Sequence, residues 1–303
     1  MKITVLSSLL REPFMIDLGH ALDSGPLIGQ LLDPDVRKFA PREEYVRHYV
    51  RLSTDEPEDD DYSQDPGSNT PPDEEETGII AVVPLHGTML KYGTMCSYGT
   101  TEIAAYLRQV MSDERVTGIL LDVDTPGGAV NSIPPVIEVL GTKTKPVLAY
   151  CDTCCSAGLF ASLYCDEIWA GNDISALIGS VGVQMSFADM KPYWEKQNVV
   201  FHTIRPPESE DKNKAFELAL EGKYDQIIEE MLSPMARRFQ QEVRDHRPKL
   251  KEEPGVLTGK TYNARRALEL GLIDAIGTRK EAIARINELT TRYEVKRFVS
   301  ANQ

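Results

Sequence analysis

Lys145-Pro146-Val147-Leu148-Ala149-Tyr150-Cys151-Asp152-Thr153-Cys154-Cys155-Ser156-Ala157-Gly158 runs from an apolar strand pattern into a stretch of small residues. Pro146 to Cys151 has the length and apolar character of a buried strand. Ser156 to Tyr164 is built of small and apolar residues and is expected to be a helix. A serine at the first turn of such a helix sits beside unpaired amides and the positive end of the dipole. Its oxygen can attack a carbonyl while a neighbouring N–H holds the negative charge that develops. A plain N-cap serine is commoner at such positions, and taken alone this serine favours the cap.

The pattern repeats outward from there. Ile79 to Leu85 and Val116 to Val123 are apolar runs suited to buried strands, and so are Glu167 to Ala170 and Leu177 to Gln184. Val199 to Ile204 also reads as a strand. Helical spacing occupies Thr101 to Ser112, Asn131 to Leu140 and Phe187 to Gln197. Strands alternating with helices imply crossover units and a largely parallel sheet. From Asn213 the character is helical: Ile228, Met231, Leu232, Met235 and Phe239 share one face, and Thr261 to Leu270 and Lys280 to Leu289 are two further helices.

Two other glycine-rich turns stand at strand ends. Pro126-Gly127-Gly128 lets the backbone approach a ligand with its N–H groups free. Gly179-Ser180-Val181-Gly182-Val183 offers a wall against which an extended peptide could pair, or simply a tight turn.

Composition bounds the rest. The 303 residues carry a net charge of −14, which argues against a nucleic-acid partner. Residues 54 to 76 hold eleven of the acids and no Lys or Arg, interspersed with prolines. Residues 54–77 are expected to be an acidic, flexible linker between a small N-terminal appendage (1–53) and a core domain (78–290), with 291–303 a tail. The five cysteines are odd in number and clustered, which fits a reducing cytoplasm better than a disulfide framework. Cys151 and Cys154 form a C-x-x-C without a second pair, so small buried thiols are expected and no metal site. No run is apolar enough to span a membrane.

A serine nucleophile needs a base. His86 and His202 lie in core-like segments, but no carboxylate is implied beside either. The other choice is a lysine made neutral by burial, with Lys212 and Lys214 the candidates after the last core strand.

Together, Lys145 to Tyr150, Cys155-Ser156-Ala157-Gly158, Cys165-Asp166-Glu167-Ile168-Trp169-Ala170 and Gly179 to Val183 resemble the signal peptide peptidase A family. That family includes the phage protein C head-maturation proteases. Asp124-Thr125-Pro126-Gly127-Gly128 is similar to its Ser-Pro-Gly-Gly turn, and Gly259-Lys260-Thr261-Tyr262 with Ala267 to Asp274 to its C-terminal signature. The resemblance implies an α/β crotonase/Clp-protease-like core of repeated β-β-α units with a helical C-terminal part. It implies a Ser-Lys dyad of Ser156 and Lys212, with Lys214 second, and an oxyanion hole of the Gly128 and Ala157 amides. Gly127, Gly179, Ser180, Val181 and Gly182 would line the substrate, and no cofactor is implied.

The expected activity is that of a serine endopeptidase acting on capsid or scaffold polypeptides, in a homo-oligomeric ring within the host cytoplasm or a prohead. A cytoplasmic enzyme degrading signal-peptide fragments, a crotonase-type acyl-CoA enzyme and an inactive scaffold are the rival readings. The acids Glu208, Glu210 and Asp211 beside Lys212 favour its charged form, which opposes a role as base.

Overall fold

In the computed structural model, residues 14–16, 48–50, 78–94, 97–189 and 191–301 are described. The acidic linker lies outside them, as does most of the N-terminal appendage. A central sheet carries parallel strands β3 (Ile79–His86), β4 (Val116–Thr125), β6 (Val147–Cys155), β7 (Glu167–Ala170) and β10 (Ala275–Ile276). Its order across the sheet is β10-β7-β6-β4-β3-β2, where β2 (His48–Val50) runs antiparallel on the outer edge of β3. β6 is long enough to pair twice on one side. Its first half pairs with β7, and Thr153–Cys155 pair with β8 (Leu177–Gly179). β8 in turn carries β9 (Thr261–Asn263) antiparallel on its far edge. A small second sheet joins β1 (Phe14–Ile16) to β5 (Gly127–Ala129).

The strands are apolar on both faces because helices cover both. Ala81, Val83 and Leu85 of β3, and Ile119, Leu121 and Val123 of β4, point to one side. There they meet α1 (Thr100–Ser112), α2 (Ile133–Gly141) and α3 (Ala157–Ser162). Behind α3 lies α7 (Ser233–His246), whose Phe239 is fully buried with its ring 5.0 Å from that of Phe160. Alternate residues Ile80, Val82, Leu120 and Leu148 point the other way, onto Ala282 and Ile286 of α9 (Arg279–Ala301). The approach of α9 is so close that a β carbon on Gly118 would lie 2.2 Å from Ile286 Cγ2, so only glycine fits there.

Between the two halves lie α4 (Lys191–Lys196), α5 (Lys214–Leu220) and α6 (Asp225–Ile227), followed by a π-turn at Ile228–Leu232. α8 (Ala264–Glu269) follows β9, with Asn263 as its cap.

Four sequence expectations need correction. Val199 to Ile204 is not a strand: its residues are largely exposed and pair with nothing among those described. An apolar run suggests a strand only if something covers it, and nothing among the described residues does. The helix expected over Phe187 to Gln197 shrinks to α4, and the strand over Leu177 to Gln184 ends at Gly179. Thr261 to Asn263 pairs with β8 before the helix begins, because the edge of β8 is open to it. Ile228 is exposed rather than on the buried face with Phe239, since the π-turn shifts the helical phase between them.

Candidate active site

Ser156 stands between the end of β6 and the start of α3. Its backbone adopts φ 55°, ψ −117°, a conformation that L residues rarely take. The chain has to reverse there because Cys155 is still in register with Gly179 of β8 while Ala157 already belongs to the helix. The Ser156 N–H donates to Gly179 O at 2.8 Å, and Phe160 N–H closes the first helical turn on Ser156 O at 2.9 Å. The hydroxyl makes no capping bond to the helix. The simple cap explanation is therefore set aside: the serine holds a strained turn and leaves its oxygen uncommitted to the backbone. Ala157 is the first residue of α3, so its N–H is one of those a helix leaves unpaired.

The Pro126-Gly127-Gly128 turn reaches the same place, because α3 packs against β5 and β4. Gly128 lies against Met89 so closely that a β carbon would fall 2.0 Å from Met89 O. Met89 N–H donates to Gly127 O at 2.8 Å, and Ala129 N–H donates to Met89 O at 2.9 Å. In an extended strand successive residues direct their N–H and C=O to opposite edges. The N–H and C=O of Gly128 therefore face away from Met89, towards β1.

Thr125 fixes the turn from within. Fully buried, its hydroxyl donates to Gly87 O at 2.5 Å and accepts from Gly127 N–H at 3.1 Å. Thr125 stood in the quoted turn motif without a role of its own, and Met89 did not stand out in the sequence. A threonine just before Pro-Gly-Gly is the signal for the first; the second acts through its backbone, which no side-chain pattern encodes.

Gly179 and Ser180 lie beside Ser156, whose N–H bonds the Gly179 carbonyl. Both have positive φ, 129° and 57°, and Ser180 N–H donates to Lys260 O at 2.9 Å. β6 and β9 occupy both edges of residues 177–179. Val181 is buried beyond them, with Ser180 and Gly182 half-buried.

The candidate bases are placed less favourably. Lys212 lies exposed in the turn before α5, and Lys214 is exposed with its Nζ 3.0 Å from Asp211 Oδ1. The hydrogen bond to Asp211 raises the pKa of Lys214, which opposes its use as a base. Among the described residues, no lysine or histidine nitrogen is hydrogen-bonded to the Ser156 hydroxyl. His86 projects on the α9 side of the sheet, opposite α3. It sits 3.4 Å from Asp122 and its pKa is raised, first by that hydrogen bond. His202 is exposed. The cysteines of the C-x-x-C are core thiols: Cys151 and Cys154 are fully buried, and burial pushes the Cys151 thiol well up.

A model described as Peptidase family S49 matches residues 140–292. The head-tail preconnector protein GP5 of Enterobacteria phage P21 is 27% identical over 213 residues, covering 68% of this chain and 42% of the relative. Capsid assembly protease C of Escherichia phage lambda is 37% identical over 131 residues, covering 40% of this chain and 29% of the relative. The chain thus spans less than half the length of either relative. Among solved structures, a membrane-bound stomatin-specific protease with a bound substrate peptide matches at TM-score 0.43 and 11% identity. That match covers 70% of this chain and 80% of the other.

Proposed function

Because this chain belongs to peptidase family S49, we propose that it is a serine endopeptidase in which Ser156 is the nucleophile. The observation that carries the reading is the Ser156 backbone, held at φ 55° between strand and helix with its hydroxyl uncommitted. The Ser156 Oγ adds to the peptide carbonyl, and the Gly128 and Ala157 amides hold the oxyanion. The base amine takes the serine proton and passes it to the leaving nitrogen, and water then releases the acyl-enzyme. Lys212 is the proposed base. In the single chain its side chain is exposed, so the role requires residues 205–214 to fold over the Ser156 turn. Gly127 and residues 179–182 line the groove.

The substrates proposed are capsid or scaffold polypeptides, in a prohead or the host cytoplasm. The relatives named for head assembly support this. A homo-oligomer is proposed as the working form. Phe187, Trp194, Val200, Phe201 and Ile204 are all exposed in the segment that leads to Lys212. A second reading, an inactive scaffold of the same fold, draws on the distance of that lysine from any contact with Ser156.

The test is cleavage of an unfolded protein such as reduced casein. Ser156→Ala should reduce the rate by at least about 10³-fold, the scale seen when a nucleophile is removed, while the far-ultraviolet circular dichroism stays the same. Lys212→Ala should do likewise, and kcat/KM of the wild type should rise with pH as the base loses its proton. Undiminished cutting by Ser156→Ala sinks the assignment. Failure of a fluorophosphonate to label Ser156 would leave the scaffold reading standing.

A further inference from the structure

β1 is in register with β5 as a peptide in the groove would be. It runs antiparallel, with Phe14 opposite Ala129, Met15 opposite Gly128 and Ile16 opposite Gly127. The Met89 side of β5 uses the Gly127 carbonyl and the Ala129 amide. Gly128 therefore turns both its N–H and its C=O towards Met15. A facing antiparallel pair of this kind exchanges both hydrogen bonds. The Gly128 amide, already assigned to the oxyanion, is thereby directed at the carbonyl of Met15. That carbonyl belongs to the Met15–Ile16 peptide bond. Ser156, at the end of the helix that packs against β5, is only 1% exposed in this arrangement. While β1 occupies the Gly128 edge of β5, a peptide from solution does not pair there.

Adding an extended segment to a free strand edge is a common way to bind a peptide through its backbone alone. Here the segment comes from the same chain, so it binds without the entropy cost of bringing two molecules together. From this register we infer that residues 14–16 are the enzyme's own substrate, and that the chain cuts itself between Met15 and Ile16. The inference rests on the peptidase reading above.

The step balances within the chemistry already described. Ser156 Oγ bonds to the Met15 carbonyl carbon, and the carbon–nitrogen bond to Ile16 breaks. The serine proton ends on the Ile16 amine, which becomes a new N-terminus. Water then hydrolyses the ester, which leaves Met15 with a free carboxylate and restores the hydroxyl. Once cut, Phe14 and Met15 face Ala129 and Gly128 as part of a separate peptide, and its departure opens the β5 edge to other peptides.

The experiment follows the full-length protein by intact mass and N-terminal sequencing, alongside cleavage of reduced casein. The wild type should accumulate a chain beginning at Ile16 at a rate independent of protein concentration, and its activity on casein should rise as it does. Ser156→Ala should stay intact. Met15→Pro, which removes the N–H directed at Gly128 and so frees β1 from the β5 edge, should stay intact and cut casein from the outset without a rise. A wild type that cuts casein yet keeps its first fifteen residues overturns the inference, as does a first cut elsewhere or a rate that scales with concentration. A wild type that cuts neither casein nor itself sinks the peptidase reading.

Discussion

Ser156 is held in a backbone conformation that glycine adopts freely and serine does not. Positions of this kind cost of order 1–3 kcal/mol and persist only when the surroundings enforce them. The enforcement is visible: the Gly179 carbonyl holds the Ser156 amide on one side, and the α3 turn holds its carbonyl on the other. Ser156→Gly should therefore relieve strain. It also frees the unfolded chain, which costs about 0.4–1 kcal/mol. The net expectation is a variant more stable than the wild type by on the order of 1 kcal/mol, and inactive. Calorimetry beside the casein assay checks both halves; a lower melting temperature would show that the turn is not strained. Ser156→Ala keeps the strain and should melt close to the wild type.

At the scale of elements, the sheet rests on two layers of unequal character. One side is a thick layer of several helices, and the other is the single long helix α9 against Ile80, Val82, Leu120 and Leu148. The contact of α9 with β4 depends on Gly118 and the fully buried Ile286 together. Ile286→Ala should cost about 2–5 kcal/mol, the range for emptying such a site. Gly118→Ala should be destabilising by itself, because its new methyl collides with Ile286. The double variant should cost less than the two changes added, since one change makes room for the other. Denaturant titration of all four proteins measures this, and strict additivity would mean that the two residues do not meet.

The same elements explain what could be read from the residues alone. Ile79 to Leu85 was legible because a strand buried on both faces must be largely apolar, and Glu167 to Ala170 by alternation, with Ile168 and Ala170 buried and Glu167 and Trp169 half-buried. Ser156 was legible as a strand-to-helix junction, but its strained backbone was not, for no residue preference announces it. β5 was hidden because Gly127-Gly128-Ala129 has no strand propensity and pairs only through Met89 and β1. Val199 to Ile204 misled for the opposite reason: the apolar residues are there, and the fold leaves them uncovered.

Those uncovered residues matter for the whole molecule. Val200 is 73% and Ile204 93% exposed, with Phe201 half-exposed between them. Large apolar side chains exposed close together in sequence are candidates for an interaction surface. If it joins copies of this chain, Phe201→Asp should leave the unfolding midpoint unchanged and convert oligomer to monomer in sedimentation velocity. An unaltered sedimentation profile would assign the oligomer contact elsewhere.

The opposite border of the sheet carries a different consequence. β2 lies along the outer side of β3, where it occupies hydrogen-bonding groups next to a strand whose side chains are almost all buried. A bare border of that kind is a template for pairing with other molecules. Release of residues 1–15 leaves His48–Val50 attached, so the mature protein keeps its cover. A chain shortened to begin at residue 78 would lose it. Such a protein should fold and then cluster, its light scattering growing with concentration, whereas a chain beginning at Ile16 stays dispersed.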